Sequence, residues 1–188
     1  MTTAVLWIGG FVLIAWRSPG LITERTRPGP GTLEGYGQET ALYALPSLAH
    51  WVLAAVDRPG TAWWRPMPTP LHALGLLAYA LANIVVIWAE LANPFFSSAV
   101  RIQTERGQHV VTTGPYAVVR HPGYAAGAAF LVSSALALGS WVSLLPALFF
   151  SVALIRRTRI EDAFLQQHLP GYRQYAERVR FRLVPGLW

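Results

Sequence analysis

Residues 121–155 read HPGYAAGAAFLVSSALALGSWVSLLPALFFSVALI, 35 consecutive positions without Asp, Glu, Lys or Arg. As one straight helix the run would be roughly 50 Å long, against a bilayer hydrocarbon core of about 30 Å. It therefore breaks once. Gly139-Ser140 is the expected turn, which makes the run a tight hairpin of two helical spans. Just upstream lie Gly114-Pro115-Tyr116 and Arg120-His121-Pro122-Gly123-Tyr124. Membrane polypeptide rarely carries so dense a polar cluster at a helix mouth without a use for it.

Working outward, the rest of the chain has the same character. Hydrophobic residues make up 53% and charged residues 13% of its 188 positions, whereas soluble chains carry about 25% charged residues. Eight Trp and seven Tyr suit the aromatic belts at membrane interfaces. The absence of Cys excludes disulfides, thiol catalysis and Cys-ligated metal. All fifteen basic residues are Arg.

Three further apolar stretches precede the hairpin, at about 2–16, 41–56 and 69–91. The expected fold is all-α: a polytopic membrane protein with five transmembrane helices, followed by an amphipathic helical segment on the cytoplasmic face. With the N-terminus outside, the inner segments 17–38, 97–120 and 156–188 hold thirteen of the fifteen Arg, as the positive-inside rule requires. No positive charge precedes the first stretch, which argues against a cleaved signal peptide and for an uncleaved span. The net charge of +6 reads as a basic face near anionic lipid and not as a nucleic-acid site. The organisation expected is one membrane domain over 1–188, with three spans in 1–92 and the core carrying the site in 93–188. The partners expected are the bilayer and a lipophilic small molecule, with neither nucleic acid nor an obligate protein partner.

Between the spans, Arg27-Pro28-Gly29-Pro30-Gly31 is a chain of turn formers that connects. Trp63-Trp64, among Pro59, Pro66 and Pro68, reads as an interfacial anchor. Asn83 and Glu90 are seven apart and share a helix face; Glu90 and Asn93 are either an ordinary helix end or the wall of a polar pocket that receives substrate. His50 and His72 are isolated and read as structural, and no pair of side chains has the spacing of a metal site. After Arg156, Ile160, Phe164 and Leu165 form an apolar stripe, with Arg157, Glu161, Asp162 and His168 elsewhere on the helix. Pro170-Gly171 breaks that segment, and Tyr172 and Tyr175 lead a second short helix. Arg178, Arg180 and Arg182 read as lipid-headgroup contacts.

The cluster itself has a physical reading. Pro122 suits the first turn of a helix, where its missing N–H costs nothing, and His121 before it is held extended. His121 thus sits at a helix mouth beside Arg120, near backbone N–H groups that favour anions. Such a site suits a small zwitterionic or anionic ligand; a helix cap with an adjacent Arg accounts for the same residues structurally.

The chain from about Asn93 onward resembles the isoprenylcysteine carboxyl methyltransferase family, to which phospholipid N-methyltransferases are related. The matching pieces are Gln103, Val110-Val111-Thr112-Thr113-Gly114-Pro115-Tyr116, Arg120-His121-Pro122-Gly123-Tyr124 with Gly127, Arg157 through Glu161-Asp162, and Tyr172-Arg173-Gln174-Tyr175 followed by Arg178-Val179. The first ninety residues match only as apolar spans. The resemblance implies an integral-membrane methyltransferase that uses S-adenosylmethionine and leaves S-adenosylhomocysteine. It implies that Gln103, Gln108, His109, Val110, Val111, Tyr116, Arg120, His121, Pro122, Gly123, Tyr124 and Glu161 bind the cofactor, and that Arg157 meets the acceptor. Arg157 and Glu161 are the residues assigned to catalysis. Where the family has a second Glu, this chain has Asp162, whose shorter side chain makes a direct ligand contact doubtful.

A carboxylate acceptor is ionised at pH 7 and needs no base, and Arg157 could clamp it with two hydrogen bonds. An amine would first have to lose a proton, so O-methylation of an isoprenoid or lipid-like acid is favoured. The acceptor is expected to enter sideways, between the third span and the hairpin. The other readings are a phospholipid N-methyltransferase, a sterol-reductase-like enzyme using NADPH, and a non-catalytic membrane scaffold.

Overall fold

A computed structural model describes residues 36–188, together with the helical positions Gly9, Val12, Leu13, Trp16 and Arg17. The expected first span and the Arg27–Gly31 loop lie wholly or largely outside the described residues. Among those described there are five α-helices and no strand: α1 (Tyr36–Val56), α2 (Thr69–Ala92), α3 (Pro122–Leu138), α4 (Leu144–His168) and α5 (Tyr172–Arg178). Single 3-10 turns, Thr104–Arg106 and Gly114–Ala117, punctuate the link from α2 to α3.

The hairpin breaks where its sequence says it must. α3 ends at Leu138 and α4 begins at Leu144. Gly139 between them has φ +72°, a left-handed conformation that L side chains rarely adopt, and a Cβ there would run into the His72 ring. Beyond the apolar part the outcome differs from the expectation of a separate amphipathic segment. α4 runs on unbroken through Arg156 and Glu161 to His168, because no helix breaker occurs before Pro170-Gly171.

α2 is the one described helix long and apolar enough to cross a membrane; Ala41–Val56 of α1 and all of α3 are shorter apolar helices. The outward faces of α1, α2 and the apolar part of α4 are bare hydrocarbon, with Leu45, Leu48, Leu76, Leu77, Leu81, Ile84, Leu145, Leu148 and Val152 all more than half exposed. A water-soluble surface does not usually expose so much contiguous apolar area.

The residues cluster into two compact units. One comprises Gly37–Ile84 and Tyr124–Thr158. Here small residues let backbones approach: a Cβ on Gly75 of α2 would sit 2.5 Å from the Ala137 nitrogen of α3. Tyr79 packs on Phe130, ring centroids 4.8 Å apart. Several polar groups inside this unit are paired. His50 of α1, with no exposed surface, places Nε2 2.6 Å from Ser134 Oγ and Nδ1 3.2 Å from the Ser143 carbonyl. Ser140 Oγ donates to Asp57 Oδ2 at 2.8 Å. These bonds tie α1 and the residue after it to α3 and to the turn of the hairpin, and give His50 the structural role its isolation in sequence implied. His50→Ala should therefore lower stability by about 2 kcal/mol, the cost of orphaning buried polar groups; a thermal melt in detergent unchanged from the parent would refute this.

The second unit comprises, of the described residues, Gly9, Val12, Leu13, Trp16, Arg17, Tyr36, Val85–Gly123 and Arg159–Trp188. Its apolar centre is Leu169, Tyr172 and Tyr175, with Ile102, Val110, Leu165, Ala176 and Val179 packed against them.

Candidate active site

The second unit is organised around one carboxylate. Asp162, fully buried, lies on the last third of α4, beyond its apolar part. Arg120 Nε donates to Asp162 Oδ1 at 2.7 Å and Arg120 Nη2 to Oδ2 at 3.1 Å. Arg182 Nε adds a bond to Oδ2 at 2.9 Å and Gln166 Nε2 another at 2.8 Å. The Tyr172 hydroxyl donates to Oδ1 at 3.1 Å, and His121 Nε2 lies 3.3 Å from the same oxygen. Because a carboxylate only accepts, His121 Nε2 carries its proton toward Asp162. The other ring nitrogen, Nδ1, is then turned to Glu161, 4.0 Å from its Oε1.

The charges agree with this geometry. Burial alone would raise the Asp162 carboxyl, but hydrogen bonds from His121, Arg120 and Arg182 hold it far below the usual carboxylate range. Burial opposes the Arg120 charge, and Asp162 more than offsets it, so Arg120 is raised. Burial pushes the phenols of Tyr116, Tyr172 and Tyr175 up, and the Asp162 charge adds to the rise at Tyr172.

Arg120 also fastens the chain that follows α5. Its Nη1 donates to the carbonyls of Val179 at 2.7 Å and Arg180 at 2.8 Å. The backbone N–H groups of Arg120 and His121 donate to the carbonyls of Phe181 and Arg182 at 3.0 and 2.9 Å. Tyr175 completes the attachment through its hydroxyl, which donates to the Tyr116 carbonyl at 2.7 Å. Arg120 is therefore occupied in holding the site together, while His121 and Glu161 present groups within it.

The remaining expected residues of this unit fall around the same framework. Gln103, 1% exposed, donates from Nε2 to the Phe95 carbonyl at 2.8 Å, and its backbone N–H is held by Gln108 Oε1 at 2.6 Å. His109 is exposed, with its ring edge-on to Phe95 at 5.0 Å. Val110 packs on the tyrosine cluster, and Val111 is half-buried. Pro122 opens α3 and is buried; a Cβ on Gly123 would collide with the Phe96 ring at 2.5 Å. Tyr116 takes a bond from Asn93 Nδ2 at 3.3 Å, and the carboxylates of Glu161 and Glu90 reinforce its raised phenol. Glu90 is 6% exposed.

Two expected residues belong to the other unit. There Arg157, 4% exposed, donates from Nε to the Tyr124 hydroxyl at 2.7 Å, and its guanidinium lies over the rings of Tyr43 and Tyr124 at 5.5 and 5.8 Å. Tyr43 carried no signal for this role, since its stretch reads only as an apolar span.

Asp162 is where the residue-by-residue reading falls shortest. The apolar stripe of Ile160, Phe164 and Leu165 is only half-buried, whereas Asp162 and Leu169 are buried. The local pattern misleads because the counter-charges, Arg120 and Arg182, lie 42 and 20 residues away. Arg182, read as a headgroup contact, in fact holds Asp162. The usable signal was the Glu161-Asp162 pair followed four residues later by Gln166 on the same face.

A family model for phospholipid methyltransferases matches residues 70–171, more than half of the chain. The chain belongs to the phospholipid methyltransferase family. The match takes in every expected site residue from Glu90 to Glu161, as well as Asp162. The phospholipid methyltransferase family is one of membrane methyltransferases, which agrees with the bare apolar helices. The chain is also similar to the cobalt-zinc-cadmium resistance protein CzcN of Cupriavidus metallidurans, at 29% identity over 131 residues, 69% of this chain and 56% of that one. It is similar to the nickel-cobalt-cadmium resistance protein NccN of Alcaligenes xylosoxydans xylosoxydans, at 28% identity over 110 residues, 58% of this chain and 47% of the relative. The chain thus spans about half the length of the curated relatives it matches.

Two outcomes test this arrangement. Asp162→Asn removes the charge that holds two guanidiniums, and breaking a buried pair this way costs about 3 kcal/mol or more; an unchanged melting temperature would refute the assignment. A raised phenol stabilises the fold below the ordinary Tyr range, and that contribution is lost as pH rises through the raised value. Of the seven Tyr, Tyr116, Tyr172 and Tyr175 should therefore stay un-ionised at pH of about 11, well past the usual midpoint near 10, and titrate only with unfolding. Phenolate absorbance rising for all seven near that midpoint, with helical circular dichroism intact, would contradict this.

Proposed function

We propose that the chain is an integral-membrane methyltransferase that uses S-adenosylmethionine and methylates a lipophilic acceptor, a carboxylate of an isoprenoid or lipid-like molecule in the first instance. In this proposal it crosses the membrane five times, with its N-terminus outside and the His121 site on the cytoplasmic side, as one membrane domain with the site in 93–188. The observation that carries the reading is the pairing of His121 Nδ1 and Glu161 Oε1 across 4.0 Å, held from behind by Asp162, within a family of methyltransferases.

The residues fit the cofactor chemically. An imidazole beside a carboxylate suits polar and cationic ligand groups: the carboxylate can accept from a ribose hydroxyl or pair with an ammonium. Glu161 and Glu90 supply negative charge for a group that bears a sulfonium and an ammonium. When bound, that group supplies an electrophilic methyl. Asp162, Tyr172 and Arg120 hold His121 in one tautomer and orientation, and the buried setting of Gln103, Tyr116 and Gly123 keeps water away. Arg157, its guanidinium fixed by Tyr124 and flanked by Tyr43, is assigned to the acceptor carboxylate. An acceptor already ionised needs only alignment, which supplies much of the rate in such transfers.

An amine acceptor is the second reading. The family description favours it, and buried Glu90 beside Tyr116 offers the base that the sequence alone did not reveal. Glu90 and Asn93 then line the acceptor side. Methyl incorporation from labelled cofactor into an isoprenoid acid or into phosphatidylethanolamine separates the two.

The cofactor is tested by calorimetric titration of detergent-purified protein with S-adenosylhomocysteine, with NADPH in parallel. Saturable binding of S-adenosylhomocysteine, weakened about tenfold or more in His121→Ala and Glu161→Ala, the equivalent of one lost charged hydrogen bond, is expected. Arg157→Ala should leave that affinity unchanged. Binding of NADPH alone would replace the methyltransferase with a reductase.

A further inference from the structure

The segment after α5 has a composition that the site does not use. Residues 169–188 contain four Arg and one acidic residue, Glu177. Arg182 is turned inward to Asp162, while the side chains of Arg173, Arg178 and Arg180 are exposed. Directly beyond them Val184 and Leu187 stand 46% and 79% exposed. Trp188 lies under the guanidiniums of Arg159 and Arg182 at 5.2 and 5.1 Å, and its carbonyl oxygen accepts the N–H groups of Arg182 and Leu183 at 2.9 and 3.1 Å. The segment is thus a closed turn that shows exposed cations beside exposed hydrocarbon.

Cations with adjoining apolar side chains are what an anionic lipid surface takes up: the guanidiniums meet headgroup phosphates, and the apolar residues enter the acyl boundary. A soluble polyanion would satisfy the Arg residues and leave Leu187 in water. The same stretch is bonded to the site, since the carbonyls of Val179, Arg180, Phe181 and Arg182 hold the Arg120 guanidinium and the N–H groups of Arg120 and His121.

We infer that residues 178–188 form a docking surface for anionic lipid headgroups, and that docking tightens the Arg120–His121 strand on which cofactor binding depends. The docking stands on its own; its effect on cofactor rests on the methyltransferase reading. Each exposed Arg at an anionic surface is worth about 1 kcal/mol, about a fivefold factor in the docked population.

The test is amide hydrogen exchange of the full chain in nanodiscs of phosphatidylcholine alone and of phosphatidylcholine with roughly 30% phosphatidylglycerol, where juxtamembrane cations respond to surface charge. Peptides covering 119–123 and 179–188 should exchange several-fold more slowly in the anionic discs. The double variant Arg178→Gln, Arg180→Gln, which keeps every backbone bond to Arg120, should exchange there as the parent does in phosphatidylcholine. Equal exchange in both discs overturns the proposal. So does protection restored in phosphatidylcholine discs by inorganic phosphate, which would mean a soluble-anion site. In the same discs, S-adenosylhomocysteine should bind more tightly with anionic lipid present. Lipid-dependent exchange without such binding in any disc would overturn the methyltransferase reading and leave the docking surface standing; binding with the same affinity in both discs would overturn the coupling.

Discussion

Asp162 is a carboxylate taken out of water, and everything around it follows from that. A buried charge is tolerated only when paired and fully hydrogen-bonded. Here two guanidiniums, one amide, one phenol and one imidazole converge on its two oxygens. Besides Gln166 on α4 itself, the partners come from three places in the chain: the turn before α3, the start of α5 and the segment beyond it. Satisfying one carboxylate therefore assembles the unit.

The same carboxylate sets the chemistry next to it. With Nε2 turned to Asp162, the other ring nitrogen of His121 lies on the Glu161 side. Two adjacent residues of α4 thus divide the work. Asp162 points inward and fixes the imidazole; the Glu161 side chain is 22% exposed. Arg120 is drawn into the same structural duty. A residue that looks like an anion binder beside a helix mouth is here the clasp between that mouth and the chain beyond α5.

The other unit obeys the same rule with different residues. Inside apolar helices, a polar side chain must find its partner within the protein. His50, Ser134, Ser140, Ser143 and Asp57 do so through short bonds that cross from α1 to the hairpin. Arg157 donates to a phenol and lies over two aromatic faces.

Much of this was legible in the one-dimensional chain. The apolar run 121–155 is too long for one crossing, so its break at Gly139-Ser140, the helices around it and the second stop at Pro170-Gly171 follow from length and local turn chemistry. The motif His121-Pro122-Gly123-Tyr124 with Glu161 likewise announces the family. Those properties are local, because helix propensity, breakers and apolar run length act over one to a few turns. The role of Asp162 was not legible, nor was the inward turn of Arg182 or the clasping role of Arg120. The first two depend on charges meeting across 42 and 20 residues of chain, and the third on a guanidinium reaching backbone carbonyls 59 and 60 residues away. A carboxylate on a helix reads as a solvated face until the tertiary structure brings in the guanidiniums that make its burial affordable.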